Sequence, residues 1–468
     1  MQWTLGQVMI DMLPDNVLLE IFDFYREAII SSIHASWINT WRWEVLIQVC
    51  RRWRCVIFES PRRLDLRIVC TSTTPTRTSL DIWPPFPISI TSRYHVDEAS
   101  VENIVAAFEH GHDRTSHISI NNINGSALEQ LVAAMHQPLP ALNDLRLVSF
   151  DQSAPMLPET FLGGSAPLLK FFDLSGIPFP TFPRFILSST HIRRLSIYDV
   201  PQSGYISPNA MAACLAALPN LEALGFGFGS PLSRPPQITP PPRTRIVLPA
   251  LLSLIFWGVS EYFEDFVSRI DTPLLKDLNI TFFMDLIFDI PRLQHFISRA
   301  ERLEPLNQAV MEFDDRAIWI SDSRGSTRRF SLRILCERPD WKLSSMVQIF
   351  SQQLPLLSHV EQLEISQNRQ SDIEWIDNPD MDTSLWLDLF RLFIAVHSLR
   401  VSEKLVPPVA AALQEFTGER TMGALPALHS LFLEGLGSSG PVPEGIQSFV
   451  AARQLSDRHI TVQSWNRS

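Results

Sequence analysis

Six copies of one short phrase punctuate this chain: proline, any residue, leucine, two more, leucine or phenylalanine, one more, then an apolar residue. They begin at Pro140 (PALNDLRL), Pro167 (PLLKFFDL), Pro219 (PNLEALGF), Pro249 (PALLSLIF), Pro273 (PLLKDLNI) and Pro426 (PALHSLFL). Each copy sets three apolar anchors at spacings of three and two. The last two anchors lie two residues apart, on one face of a strand, with a neighbour of the other face between them. A strand with one apolar face cannot cover it alone. Units of this kind gain stability by stacking on their own copies, which restricts the chain to a repeated array.

Relaxing the phrase to the anchors alone adds Thr115/Ile118/Ile120, Ile192/Leu195/Ile197, Val360/Leu363/Ile365 and Val396/Leu399/Val401. First anchors at 115, 142, 169, 192, 221, 251 and 275 are then separated by 27, 27, 23, 29, 30 and 24 residues. That spacing is the one leucine-rich repeats use. Helical periodicity fills the gaps at Ser126–His136, Pro208–Leu218, Glu261–Ile270, Pro291–Ala300, Leu343–Leu354 and Ser384–Val396. In the first of these, Ser126 and Glu129 have capping-box spacing. Strand then helix, repeated, predicts an α/β fold: a parallel sheet lined by helices. The asparagine common three residues after the third anchor is replaced by Phe150, Ile177, Val200, Val259 and Phe283; only Asn368 fits. Between Ile280 and Val360 the period blurs, with Leu303/Leu306 and Leu332/Ile334 as possible remnants of units.

The formal net charge of −11 argues against binding nucleic acid. The five cysteines are scattered with no CxxC, which fits reduced thiols in the cytoplasm or nucleus. No secretory leader is expected, since Asp11 and Asp15 follow the start closely. Ile246–Ser260 is too short for a membrane span and carries Pro249. Ser230–Thr244, Asp372–Asp382 and Gly435–Gly445 read as surface loops. Histidines are dispersed, and no HExxH, GxSxG or phosphate-loop lysine occurs. His110, His112 and Asp113 lack a fourth metal ligand. Gly225–Gly229 (GFGFG) lies on a repeat strand, and Cys50/Cys55 suit packing better than redox chemistry. Neither a cofactor nor a metal is expected, and an enzyme is disfavoured.

Residues 9–60 differ from the rest. Pro14 suits a helix's first turn, and Val17, Leu18, Ile21, Phe22 and Tyr25 form one stripe. Trp43, Leu46, Val49, Cys50, Trp53, Val56 and Ile57 form a second, with Ser31–Asn39 as a short helix between. So little chain buries little surface, and such a module often needs a partner helix. The motif Leu13-Pro14-Asp15-Asn16-Val17-Leu18-Leu19-Glu20-Ile21-Phe22 with Val49-Cys50-Arg51-Arg52-Trp53-Arg54 resembles an F-box. Ser60–Leu66 and Leu80–Pro84 resemble the fungal, basidiomycete-type F-box proteins that carry irregular leucine-rich repeats. Compared with a minimal F-box, Ile29–Arg42 is an extra stretch.

That resemblance implies a three-helix F-box (9–60), a connecting segment with a first irregular strand (61–95) and a leucine-rich-repeat solenoid (96–468). It further implies a non-catalytic substrate-recognition subunit of a Skp1–cullin–F-box ubiquitin ligase. Leu13, Pro14, Val17, Leu18, Ile21, Phe22, Val49, Cys50 and Trp53 match the adaptor-facing motif. Arg51, Arg52, Arg54, Arg62, Arg63 and Arg67 would either complement an acidic adaptor or form a solvated face. The substrate would meet the residue between the last two anchors of each strand: Arg146, Asp173, Ser196, Gly225, Ile255, Asn279, Glu364, Arg400 and Phe432. The alternative is a repeat scaffold for protein–protein contacts without ligase association.

Overall fold

The computed structural model describes residues 12–32, 43–71, 73, 76–92, 98–151, 153–230, 244–283, 289–322, 328–336, 339–352, 354–368, 383–415, 423–435 and 442–465. The fold is α/β. Sixteen long-sheet strands, five in one compact unit (Met1–Ser189) and eleven in another (Thr190–Ser468), are almost all parallel and lined by helices. This is the organisation of a solenoid-like repeat.

In the first unit, α1 (Asp15–Ser32), a 3-10 turn (Trp43–Gln48) and α2 (Arg51–Glu59) precede the strands. The second apolar stripe is therefore broken at Val49–Cys50 rather than forming one helix. Cys50 is the N-cap of α2: its Sγ accepts from Trp53 N at 3.4 Å. The expected middle helix and the extra stretch fall largely outside the described residues. Then come β1 (Ile68–Thr71), α3 (Thr76–Ile82), β2 (Ile88–Ser92), α4 (Glu98–Gly111), β3 (Thr115–Ile123), α5 (Gly125–Ala134), β4 (Asp144–Ser149), β5 (Phe171–Ser175) and α6 (Phe182–Ile186). The five strands pair in chain order, all parallel. The segment 61–95 thus carries two strands and a helix, not one irregular strand. The cap of α5 is Asn124, whose Oδ1 accepts from Ala127 N at 2.8 Å. Ser126 only donates to that same oxygen, so the capping-box reading is corrected.

The second unit begins with β6 (Arg194–Val200), α7 (Pro208–Leu215), β7 (Ala223–Phe228), β8 (Ile246–Val247), β9 (Ser253–Gly258), α8 (Ser260–Val267), β10 (Ile270–Asp271), β11 (Asp277–Phe283) and α9 (Pro291–Arg299). Strands β6, β7, β9 and β11 are parallel neighbours, and β8 and β10 form a separate two-stranded ribbon. Next are β12 (Gln308–Asp314), β13 (Ala317–Ser321) and β14 (Phe330–Leu335). The last elements are α10 (Pro339–Ser351), β15 (Gln362–Gln367), α11 (Thr383–Leu392), β16 (Ser398–Val401), α12 (Val406–Gln414), β17 (Ser430–Glu434), α13 (Glu444–Leu455) and β18 (Thr461–Trp465).

The blurred period now has a cause. Strands β12, β13 and β14 form an antiparallel meander whose order is reversed: β14 pairs with β11, and β12 with β15. Leu332 and Ile334 lie on β14, whereas Leu303 and Leu306 precede β12 and belong to no strand.

Anchor side chains are buried on one face of every repeat strand, as at Leu145/Leu147, Phe172/Leu174, Leu254/Phe256 and Leu431/Leu433. Helices pack beside one another behind them, α7 on α8, α8 on α9, and α10 through α13 in turn. The second unit is rich in phenylalanine: Phe226, Phe256, Phe263, Phe266 and Phe282 interlock with ring centroids 4.5–6.5 Å apart. Burying each such ring is worth about 2–3 kcal/mol.

In four units a left-handed residue stands two positions after the third anchor: Asn122, Gly176, Asp199 and Gly435. At Gly176 (φ 70°) a Cβ would lie 2.0 Å from Ser149 O, so only glycine lets the strand end turn so tightly there.

Candidate functional site

In the N-terminal module, Leu18 and Phe22 on α1 close onto Trp53 of α2; the Phe22 and Trp53 rings meet edge to face at 4.9 Å. Trp43 anchors the module to the repeat strands. Its Nε1 donates to Arg67 O at 2.8 Å, and its ring meets Trp83 and Phe86 edge-on. Arg52 pairs with Asp15 and donates to Leu13 O, while Arg63 pairs with Glu20 and Asp23. Arg54 donates to Ile47 O, and Arg67 pairs with Asp65. Most of the arginine cluster thus ties the module together. Among the described residues, Arg51 and Arg62 make no ion pair.

Of the nine residues expected at an adaptor surface, Leu18, Phe22 and Trp53 form the module's own interior. Pro14, Ile21 and Val49 are exposed, and Leu13, Val17 and Cys50 are half-buried. Beside Ile21 stands Phe24, 74 % exposed, with Met12, Tyr25 and Val45 also open. Val17, Ile21 and Phe24, at steps of four and three, form a second stripe next to the buried one. The sequence reading missed Phe24 because it assigned a single stripe to α1.

The strand faces opposite the anchors carry the other candidate residues. In the first unit, Thr91, Ser119, Arg146 and Asp173 are registered neighbours. Arg146 reaches Asp173 at 3.5 Å and Asn121 Oδ1 at 3.1 Å. One step towards the strand starts, Ser89, His117 and Asp144 lie in register, with His117 Nδ1 3.2 Å from Asp144 Oδ2. Among the described residues no hydrogen bond joins Ser89 to His117, so a nucleophile–base contact is not formed.

In the second unit, Ser196, Gly225, Ile255 and Asn279 are consecutive registered neighbours, as are Glu364, Arg400 and Phe432. The meander joins the two runs through Ser331, Ser321 and Val310, which sequence reasoning missed. Arg400 stacks over Phe432 and Trp465, 5.6 and 6.0 Å from the ring centroids. Glu364 is 9 % exposed. A Cβ on Gly225 would fall 2.0 Å from the Tyr198 hydroxyl, so Tyr198 lies over bare backbone there.

A second row runs two residues further along: Gly227, Trp257, Thr281, Arg333, Trp319, Glu312 and Ser366. The period-two rule that gave the first row would have found Trp257 and Arg333 as well. Ile255 and Trp257 are 39 and 38 % exposed, unusual on an otherwise polar face. Arg333 lies over the Trp319 ring, 5.2 Å from its centroid.

Where the meander meets the preceding loop, a cavity of about 500 Å³ is lined by Lys276, Asp277, Leu306, Asp322 and Arg329, among others. A smaller one of about 190 Å³ includes Val310, Glu364 and Arg400. Burial holds the Asp277 carboxyl above its usual range, with Asp322 adding to the effect. Burial also pushes the Cys70 and Cys214 thiols up to about 11, which leaves them protonated at neutral pH. Among the described residues no group of three or more His, Cys, Asp or Glu could hold a metal ion, and no helix is long and apolar enough to cross a membrane.

No protein-family model matches the chain, and no curated protein matches it.

Proposed function

We propose that this chain is a substrate-recognition subunit of a Skp1–cullin–F-box type ubiquitin ligase, with residues 9–60 docking the adaptor and the open strand faces holding the substrate. The observation that carries this reading is the second α1 stripe, in which Ile21 and Phe24 stand open beside a complete interior. Exposed apolar groups clustered on short helices mark a surface that a partner covers. The LPxxxLxxIF and VCRxWR motifs supply the partner's identity. The repeats contribute broad, mixed-polarity faces suited to a protein ligand, and the chain itself performs no chemistry.

Co-purification with a Skp1-type protein tests the proposal. The wild type should retain the adaptor, and Phe24→Asp or Val49→Asp should release it while the fold persists. If the wild type retains none, the ligase reading fails. The remaining reading is then the repeat scaffold, which the self-sufficient Leu18–Phe22–Trp53 interior and the internal use of Arg52 and Arg63 favour.

A further inference from the structure

Among the described residues, the row beside the expected substrate row contains two buried hydrogen-bond donors without an acceptor. Trp319 is 9 % exposed and its Nε1 has no acceptor; Arg333 Nε, in the guanidinium stacked on that ring, has none either. Buried donors in native proteins are nearly always satisfied, so a pair left open within one stacked unit implies an acceptor that arrives with a ligand. Arg333 makes no ion pair among the described residues. The missing group is therefore an anion that can take one N–H from a guanidinium and another from an indole.

Neighbouring groups narrow its identity. Trp257 lies on the same row two strands away, with exposed Ile255 beside it. Two strand spacings amount to about 10 Å, and in a polyproline II segment, with three residues per turn and about 3.1 Å rise, side chains three positions apart point the same way and lie about that far apart. Glu312 flanks Trp319 directly and Glu364 stands on the adjoining row. One guanidinium amid two carboxylates suits a singly charged ligand better than a doubly charged phosphate.

We infer that Arg333, Trp319 and Trp257 together bind a polyproline II segment of a partner protein in which a Glu or Asp carboxylate lies three positions from a large apolar side chain. The carboxylate accepts from Arg333 and Trp319, and the apolar group rests on Trp257 and Ile255. This deepens the reading of the sheet face as the substrate surface and is independent of adaptor docking.

Short synthetic peptides carrying Leu three positions from Glu, Gln or phosphoserine would be titrated into the full-length protein. Affinity is read by fluorescence polarisation, and Trp319 by its indole N–H resonance, assigned from its absence in Trp319→Phe. The Glu peptide should move that resonance and bind about tenfold or more tightly than the Gln peptide, as expected for a charge-assisted bond. Arg333→Gln should abolish the Glu preference, and Trp319→Phe, which keeps a ring for stacking, should weaken it. Trp257→Ala should weaken both peptides alike. Equal binding of Glu and Gln peptides, binding of neither, or an unaffected Arg333→Gln protein would overturn the site; tighter phosphoserine binding would overturn the carboxylate. Circular dichroism verifies the variants' folds. Peptide discrimination without adaptor co-purification would still support the site while ending the ligase proposal.

Discussion

Glu264 shows how a single buried side chain is set by opposing forces. Its two carboxyl oxygens accept from Leu293 N and Arg292 N at 2.7 and 2.8 Å, capping α9 from α8. Burial nevertheless outweighs those bonds and the nearby Arg292, and pushes its pKa up to about 7. The folded chain therefore holds a proton that the unfolded chain has released between about pH 4.5 and 7. In this window the stability due to Glu264 is greatest at the acid end and falls as pH rises. Relative to Glu264→Gln, the wild type should lose about 2 kcal/mol between pH 5 and 7, measured by urea unfolding across that range. A flat difference would show that the carboxylate is already ionised at pH 5. Lys342 is a second buried polar device: its ammonium donates to Asp314 O and Asp315 O at 2.6 and 2.9 Å, pinning the β12–β13 turn to α10. Lys342→Met strands both carbonyls and should cost about 2 kcal/mol in the same assay.

The repeat strands were legible element by element because an anchor spacing of three and two is specific when repeated, and because the residue between the last two anchors must face outward. That logic put Ser196, Ile255, Asn279, Glu364, Arg400 and Phe432 in one row; the strand pairing gives the first three as one run and the last three as another, with the meander between them. It failed at the meander for a physical reason. Every residue of β13 (AIWIS) is buried, so no alternation survives to be read, and β12 hides Ala309, Val310 and Met311 alike. It could not sort the N-terminal module either: an apolar stripe demands a cover but does not say whose. Leu18, Phe22 and Trp53 are buried, whereas Ile21 and Phe24 stay exposed among the described residues. Trp53→Ala should therefore lower the module's stability by about 3–5 kcal/mol, visible as early loss of helical signal on heating. Adaptor loss in that variant would report unfolding, which is why Phe24 and Val49 are the better probes. At the strand ends, Gly176→Ala should destabilise the β5 turn by at least about 1 kcal/mol, through both its positive φ and the clash with Ser149 O, as seen in a thermal melt.

At the scale of the molecule, stability accumulates strand by strand, so the outermost strands matter out of proportion to their size. Strand β18 covers the edge of β17 and brings Trp465 against Arg400. Removing 460–468 should exchange the polar edge strand β18 (TVQSW) for the more apolar β17 (SLFLE) and promote self-association detectable by size-exclusion chromatography.

The meander sets the order in which such a chain can be built. Elsewhere within each unit, each new strand of the long sheet docks on the long-sheet strand before it. Here Leu278 must wait for Phe330, and Ala309 for Leu363, about twice the chain distance that separates Leu145 from Phe172. During synthesis β11 will sit unclosed while two further strands emerge and turn back, and β12 can offer β15 a template only after that. The longest-range closures fold slowest, so a kinetic pause belongs between β11 and β15, while the local β13–β14 pairing that sets Arg333 opposite Trp319 can form within it.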